Sequence, residues 1–574
     1  MKLKSYLKPY TGQCIVAPLL KLMEAFLELL VPLVIASLID AGIGRDDSGH
    51  VVRMSLFLAG FALLGLGVSI TAQYFSAKVA TGFAHDAKND LFKHIQRLSA
   101  ADLDRIGTST LLTRMTSDMN QVQAGVNMTL RLLLRSPFVV FGAAVMAILV
   151  DPSSAAIFLG TIALLSLLVG VIMSFSLPQY RNVQRRLDTV LSRVRENLYG
   201  VRVLRAFCQE DAETRSFAAE NEALRKQQML SAALSALTNP LTTVVVNVGI
   251  MFLIYSGGLK VDSGAMSQGT VVALVNYMSQ ILIELIKLAN LLVTISKALA
   301  CAKRVNGVFA MTPSRSEGTV DTIPAEAPSI IDFKDVTFSY GKGAAPALSK
   351  ISFSVRTGRM LGIIGGTGSG KSTIAALMLR QYDATSGEVD FFGRDIRDYT
   401  DRAIHSSLVA VFQKAKLFKG TIRSNLKWGD RSADDRALYQ ALAIAQASEI
   451  VGGRNGGLDA TVEIGGRNFS GGQRQRLCIA RALVAHPKLL ILDDSTSALD
   501  YATDAALRGA LNQLDCALVI ISQRTLSVRD ADQILVLDNG RQVGLGTHEE
   551  LLESCGVYQE IYDSQYSDRR EAAK

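Results

Sequence analysis

Gly365-Gly366-Thr367-Gly368-Ser369-Gly370-Lys371-Ser372 fits the pattern G-x-x-x-x-G-K-[ST], a glycine-rich loop that cradles phosphates. The apolar run Met360 to Ile364 before it reads as a buried strand, and Thr373 to Arg380 after it carries a helical pattern. Strand, loop, helix is the order this chemistry needs. Backbone N–H groups wrap the phosphates, and the positive end of the helix favours their charge. In such a loop Lys371 reaches the β- and γ-phosphates and the Ser372 hydroxyl sits on Mg²⁺. Gly365, Gly366, Thr367, Gly368, Ser369, Gly370 and Thr373 complete the candidate ATP-binding set.

Working outward, Leu489 to Leu492 is a second buried-strand pattern, and it delivers Asp493 at its end, where P-loop ATPases hold Mg²⁺. Between loop and strand lies Phe469-Ser470-Gly471-Gly472-Gln473, leading into a helical stretch, Arg474 to Val484. Two successive glycines before a helix leave N–H groups exposed at its positive end, a second phosphate-binding surface. One domain cannot easily fold that surface onto its own phosphate loop. Two such domains, head to tail, clamp ATP between loop and helix.

The rest of the chain explains how such a domain is anchored. The chain has 574 residues, 49% of them hydrophobic, with a net charge of +8. Several domains are expected. The basic residues cluster beside apolar spans, so the charge does not point to nucleic acid. Six scattered cysteines form no C-x-x-C pair, and six histidines show no metal-ligand spacing.

Six apolar spans are expected to cross a bilayer: Cys14 to Ile43, Met54 to Val79, Leu132 to Val150, Ser154 to Leu177, Leu241 to Leu259 and Val271 to Ala300. Short links at Gly44–Arg53, Asp151–Ser153 and Lys260–Gly269 alternate with long, helix-patterned links at Ala80–Arg131 and Pro178–Thr238. The long links carry Lys88, Lys93, Arg97, Arg105 and Arg114, then Arg181, Arg185, Arg186, Arg193, Arg195, Arg202 and Arg205. Positive charge marks the cytoplasmic side, which places the N-terminus and both long links inside. Glu24 and Glu28 share one face of the first span, with Lys21 nearby, and Glu284 and Lys287 lie in the sixth. Charges in hydrocarbon are costly. They mark a polar substrate path, or else a structural Glu–Lys pairing or a helix end outside the lipid.

Residues 311–329, rich in Pro, Ser, Thr, Glu and Ala, read as a linker, and strands alternate with helices after it. The expected architecture is a membrane all-α domain of six helices at 1–310, fused through that linker to an α/β P-loop ATPase domain at 330–574.

Taken together, these motifs resemble an ABC exporter half-transporter of the type IV fold, and the likeness covers nearly the whole chain. Phe469–Gln473 is similar to the family signature L-S-G-G-Q, with Phe for Leu, and Ser497-Ala498-Leu499-Asp500 to its D-loop. Gln413, in Val411-Phe412-Gln413, resembles the glutamine that touches Mg²⁺, and Tyr340 the aromatic that stacks on adenine. The resemblance implies coupling helices, near Arg105–Thr116 and Tyr199–Glu213, with Glu463 close to that contact.

Two departures stand out. Asp494 occupies the place of the family's glutamate that polarises water, and its carboxylate is withdrawn by ~1.5 Å. Gln523 stands for the switch histidine and cannot become a cation. Both candidate catalytic residues are degenerate in one composite site, while the signature that serves the other site is nearly intact. Neutral drift in a still-active homodimer is the alternative. The implied protein is one half of a heterodimeric multidrug-type efflux pump in the inner or plasma membrane. It takes ATP and Mg²⁺, a second half-transporter as partner, and a hydrophobic or amphipathic small molecule as cargo. Rival expectations are a homodimeric exporter of lipid, peptide or siderophore, and a regulatory ATP-binding subunit.

Overall fold

The computed structural model describes residues 3–324, 327–341 and 343–571. Two compact units result, Met1–Gln96 with Ser109–Met311, and Arg97–Thr108 with Thr312–Lys574.

The first unit is helical. Its helices are α1 (Thr11–Ser37), α2 (Ser48–Gln96), α4 (Thr108–Thr113), α5 (Met119–Leu132), α6 (Arg135–Val150), α7 (Ala155–Ala206), α8 (Glu210–Ala236), α9 (Thr238–Asp262) and α10 (Gln268–Phe309); α3 (Ala100–Ile106) belongs to the second unit. Among the described residues six helical stretches are long and apolar enough to cross a membrane, as the hydropathy pattern predicts. Side chains such as Leu63, Leu66 and Phe141 point outward, as expected where lipid is the solvent. On α2 the buried positions Ala72, Ser76, Phe83, Ala87 and Leu91 continue one stripe far past the apolar span. The long links are therefore extensions of the membrane helices.

The chain leaves α2 at Gln96 because Ser99 and Asp102 cap α3 reciprocally, and Gly107 closes it at φ +80°. This moves the segment that joins the sheet-bearing unit to Arg97–Thr108, upstream of the expected Arg105–Thr116. Within that unit Tyr382 donates to Asp104 at 2.5 Å, and Ser314 N donates to Asp102 at 2.9 Å. At the other long link α7 runs to Ala206, the chain turns with Cys208 at φ +51°, and Tyr199 is left 87% exposed.

The second unit is built on strands β1 (Ser329–Phe338), β2 (Leu348–Arg356), β3 (Met360–Gly365), β4 (Ser386–Phe391), β5 (Arg394–Asp395), β6 (Leu408–Val411), β7 (Gly420–Thr421), β8 (Thr461–Val462), β9 (Leu489–Asp493), β10 (Ala517–Ile521), β11 (Gln533–Asp538) and β12 (Arg541–Gly546). Ten of them form one sheet in the order β5-β4-β1-β2-β12-β11-β3-β10-β9-β6. The stretch β11-β3-β10-β9-β6 is parallel. Its strands are apolar on both faces, and every residue of β9 and β10 is buried. Two cores flank the sheet. One includes Leu477, Leu490 and Val536, and the other Ile374, Ile491 and Leu535.

Register places the functional loops. Ile521 pairs with Ile363 of β3 on one side and Asp493 of β9 on the other. The loops after β3, β9 and β10 therefore leave the same sheet edge side by side, the carboxyl edge where open α/β sheets bind ligands.

Candidate nucleotide site

The loop after β3 turns through Gly368 at φ +82° and Gly370 at φ +100°, conformations closed to most side chains. Gly370 then caps the helix Lys371–Met378. Lys371 is nearly buried, and its Nζ donates to the carbonyls of Gly365 at 2.8 Å and Gly366 at 2.7 Å. Burial lowers the Lys371 pKa, opposed by Asp494 and Asp493. The ammonium therefore rests on loop carbonyls, next to two carboxylates that favour its charge.

Ser372 Oγ donates to Asp493 Oδ1 at 3.3 Å. Burial raises the Asp493 pKa, the neighbouring Asp494 raises it further, and Ser372 and Lys371 pull it down. Asp494 follows at φ +46°, and its backbone N–H donates to Ile521 O at 2.8 Å. Its Oδ2 accepts from Gln413 Nε2 at 2.9 Å. Gln413 is thus brought to Asp494, next to Asp493 in the chain.

Tyr340 presents its ring to solvent, 58% exposed, with its hydroxyl 2.9 Å from Thr373 Oγ1. Tyr382 packs edge-on against it at 5.3 Å between centroids. That support has no motif, and the sequence did not single out Tyr382. Gln523, after β10, lines a cavity of about 480 Å³ with Asp494, Ser497 and Arg524. The two departures from the family pattern therefore face one space.

The signature stretch lies apart. Among the described residues no hydrogen bond joins Phe469–Gln473 to the phosphate loop. Ser470 and Gln473 cap each other at the start of the helix Gly471–Val484. Phe469 is buried beneath the Arg454 guanidinium, 3.9 Å from its ring centre. An added Cβ at Gly471 would meet only Ala498 Cβ at 3.9 Å, whereas one at Gly472 would lie 3.0 Å from Ala498 O. In the turn after Asp494, Ser497 Oγ donates to Asp494 O at 2.8 Å, Leu499 is buried, and Asp500 caps the helix Tyr501–Leu511.

Residues 14–285 match the ABC transporter transmembrane region family, and residues 348–497 match the ABC transporter family. An uncharacterized ABC transporter ATP-binding protein of Mycobacterium tuberculosis is 35% identical over 569 residues, covering 98% of this chain and 97% of that one. This chain belongs to the ABC transporters. A Bacillus subtilis member is 33% identical over 98% of both chains, and an ATP-dependent lipid A-core flippase of Escherichia coli is 27% identical over 97% of this chain and 96% of its own. The fold is shared with a bacterial Atm1-family ABC exporter solved with ATP bound, at TM-score 0.82 and 22% identity, over 97% of this chain and 98% of that one.

The residues of this ABC transporter fit a nucleoside triphosphate with Mg²⁺. Among the described residues the buried Ser369 Oγ has no hydrogen-bond partner, and the loop glycines Gly366 and Gly368 beside it have open space over them. A hydroxyl at Ser372 and a carboxylate at Asp493 are hard oxygen donors suited to Mg²⁺. The cation would neutralise phosphate charge when bound.

The transporter also carries an ion cluster inside its membrane helices. Arg135 Nη2 lies 2.5 Å from Glu28 Oε2, and Nη1 lies 2.6 Å from Glu284 Oε1. Glu284 also accepts from Ser136 at 2.8 Å and Lys287 at 2.7 Å, and Glu24 from Lys21 at 2.5 Å. Three carboxylates meet three cations, which is how charge is tolerated in hydrocarbon. Glu24, Glu28 and Arg135 also line a cavity of about 560 Å³ with Phe61 and Leu66. Arg135 was missed because it stands at the start of an apolar run. As the first residue of the 16-residue helix α6, it stands roughly 22 Å from that helix's far end.

Proposed function

We propose that this ABC transporter is one half of a heterodimeric, multidrug-type exporter that moves hydrophobic or amphipathic small molecules across the inner or plasma membrane. The observation that carries the reading is that Asp494 and Gln523 line one cavity, while a nearly complete signature stretch lies elsewhere. In this reading residues 1–310 form the transmembrane domain, 311–329 the linker and 330–574 the nucleotide-binding domain. The N-terminus and the nucleotide-binding domain are cytoplasmic.

The chain's own residues divide the work. Tyr340 stacks on adenine. Residues 365–373 hold the phosphates, with Lys371 as their point charge. Ser372, Gln413 and Asp493 hold Mg²⁺. Asp494 is a short base and Gln523 a neutral phosphate donor, so bound ATP persists. Ser470, Gly471 and Gly472 offer a helix N-terminus to the partner's ATP, where the partner supplies glutamate and histidine. ATP binds the closed pair more tightly than the open one, and that difference turns the membrane helices outward. Hydrolysis at the partner's site resets them.

The test compares ATPase of the chain purified alone with that of the chain assembled with a second half-transporter bearing the glutamate and histidine. Slow turnover alone and fast turnover together support the heterodimer. A second reading, a homodimeric lipid exporter, is favoured by the likeness to the lipid A-core flippases. Fast hydrolysis by the chain alone decides for a homodimer.

A further inference from the structure

The helix Gly556–Glu571 reaches back to the loop after β10. Tyr558, Tyr562 and Gln565 lie on one face of it, at i, i+4 and i+7. Tyr558 is fully buried, with its hydroxyl 2.7 Å from His548 Nδ1, and the Tyr562 ring lies 5.6 Å from the same imidazole. These contacts anchor the helix, and Gln565 stands about one turn further on. Its Oε1 accepts from the Thr525 backbone N–H at 2.9 Å and from the Thr525 hydroxyl at 3.0 Å. Its Nε2 donates to the Gln523 carbonyl at 2.8 Å. Thr525 opens the short helix Thr525–Val528, whose own N-cap, Arg524, makes no side-chain capping bond. Thr525 is only 1% exposed, so its N–H has little access to water. Gln565 supplies the missing cap from 40 residues away and ties down the carbonyl on the other side of Arg524.

We infer that Gln565 is a positioning residue for the nucleotide site, holding Gln523 where it meets a terminal phosphate. Gln565 lines the same cavity as Gln523 and Asp494. The inference rests on the proposed nucleotide pocket. The C-terminal helix thereby sets how long ATP stays bound. It has no comparable hold on ADP, which offers Gln523 no γ-phosphate.

The experiment uses the full chain in detergent with Mg²⁺, a fluorescent ATP analogue and its ADP counterpart. Gln565→Ala should speed release of the ATP analogue on the order of fivefold, the worth of one ordinary hydrogen bond. Release of the ADP analogue should change by less than about twofold, and exchange of the Thr525 amide hydrogen should quicken. Gln565→Glu keeps an acceptor for Thr525 but turns an oxygen toward the Gln523 carbonyl. It should speed ATP release while the Thr525 amide stays protected. Unchanged ATP release in both variants overturns the inference, as does equal acceleration of ATP and ADP, the mark of general loosening. Lys371→Ala is the control for the pocket. If it leaves binding of both analogues intact, the pocket reading fails and this one with it. If it weakens both while the Gln565 variants change nothing, this inference alone is rejected.

Discussion

Gln413 and Asp494 are joined by a hydrogen bond of 2.9 Å, so the loop after β6 holds the carboxylate that follows β9. The two strands are parallel neighbours, with Val411 opposite Leu492, and the bond bridges the gap at their shared end. Asp494 sits at φ +46°, a backbone state that Asp and Asn adopt more readily than most residues.

Asp494→Asn preserves an oxygen for Gln413 and removes the charge. In a heterodimer it should lower turnover of the assembled pair less than about tenfold, because the partner's site carries hydrolysis. Asp494→Glu combined with Gln523→His should raise hydrolysis at this chain's own site on the order of 100-fold, restoring base reach and a titratable imidazole together. Steady-state ATPase, with each change made in this chain only, measures both. Loss of all turnover in Asp494→Asn would reject the asymmetric reading.

Gly471 and Ser470 should separate by mechanism. Ser470→Arg removes a reciprocal helix cap, so it should cost about 1 kcal/mol of domain stability along with any effect on the partner's ATP. Gly471→Ala has room inside the chain and should leave the melting temperature unchanged. A bulkier Gly471→Phe should collapse most ATPase of the pair. Wild-type turnover in Gly471→Phe would show that this helix end meets no nucleotide.

Asp493 gives a pH and metal prediction. Its pKa is raised in the folded chain, so the fold binds that proton more tightly than the unfolded chain does. Its ionised form therefore costs stability, and the cost appears as pH rises above the ordinary 3.8. At neutral pH Asp493→Asn should stabilise the nucleotide-free protein, by up to a few degrees in melting temperature. It should also remove the Mg²⁺-dependent part of ATP binding. A fall in melting temperature would contradict the sign.

Arg135 should be the least replaceable member of the membrane cluster. Removing it leaves Glu28 without its ion pair and Glu284 with Lys287 and Ser136. Arg135→Met should destabilise the protein by about 3–5 kcal/mol, whereas Glu28→Gln, at the open side of the cavity, should cost far less. Thermal unfolding in detergent ranks the two, and equal tolerance would show that the cluster is not a structural hub.

Topology follows from the charge asymmetry. Cysteines placed at residues 47 and 264 should label from outside sealed cells, and one at Arg205 should not. External labelling at Arg205 would invert the orientation.

The phosphate loop and the six apolar spans were legible because both are local properties. Eight adjacent residues set the loop's backbone geometry, and about 20 adjacent apolar residues commit a helix to lipid. The buried strands β3, β9 and β10 showed for the same reason, as unbroken apolar runs. The upstream position of Arg97–Thr108 was legible in part, through the Ser99 cap and Gly107, but an unbroken helical pattern across the link hid it.

What only tertiary structure decided is which side chains meet. Arg135 reaches Glu28 across 107 residues and Glu284 across 149, Gln413 reaches Asp494 across 81, and Gln565 reaches Thr525 across 40. Hydropathy and spacing tell which face of an element is apolar, but not which faces are set against each other. That depends on strand order and helix packing. The β9-β10-β3 order puts Asp493, Gln523 and Lys371 on loops and ends along one edge of the sheet, where the buried Asp493 and Lys371 find their partners in Ser372 and in the carbonyls of Gly365 and Gly366.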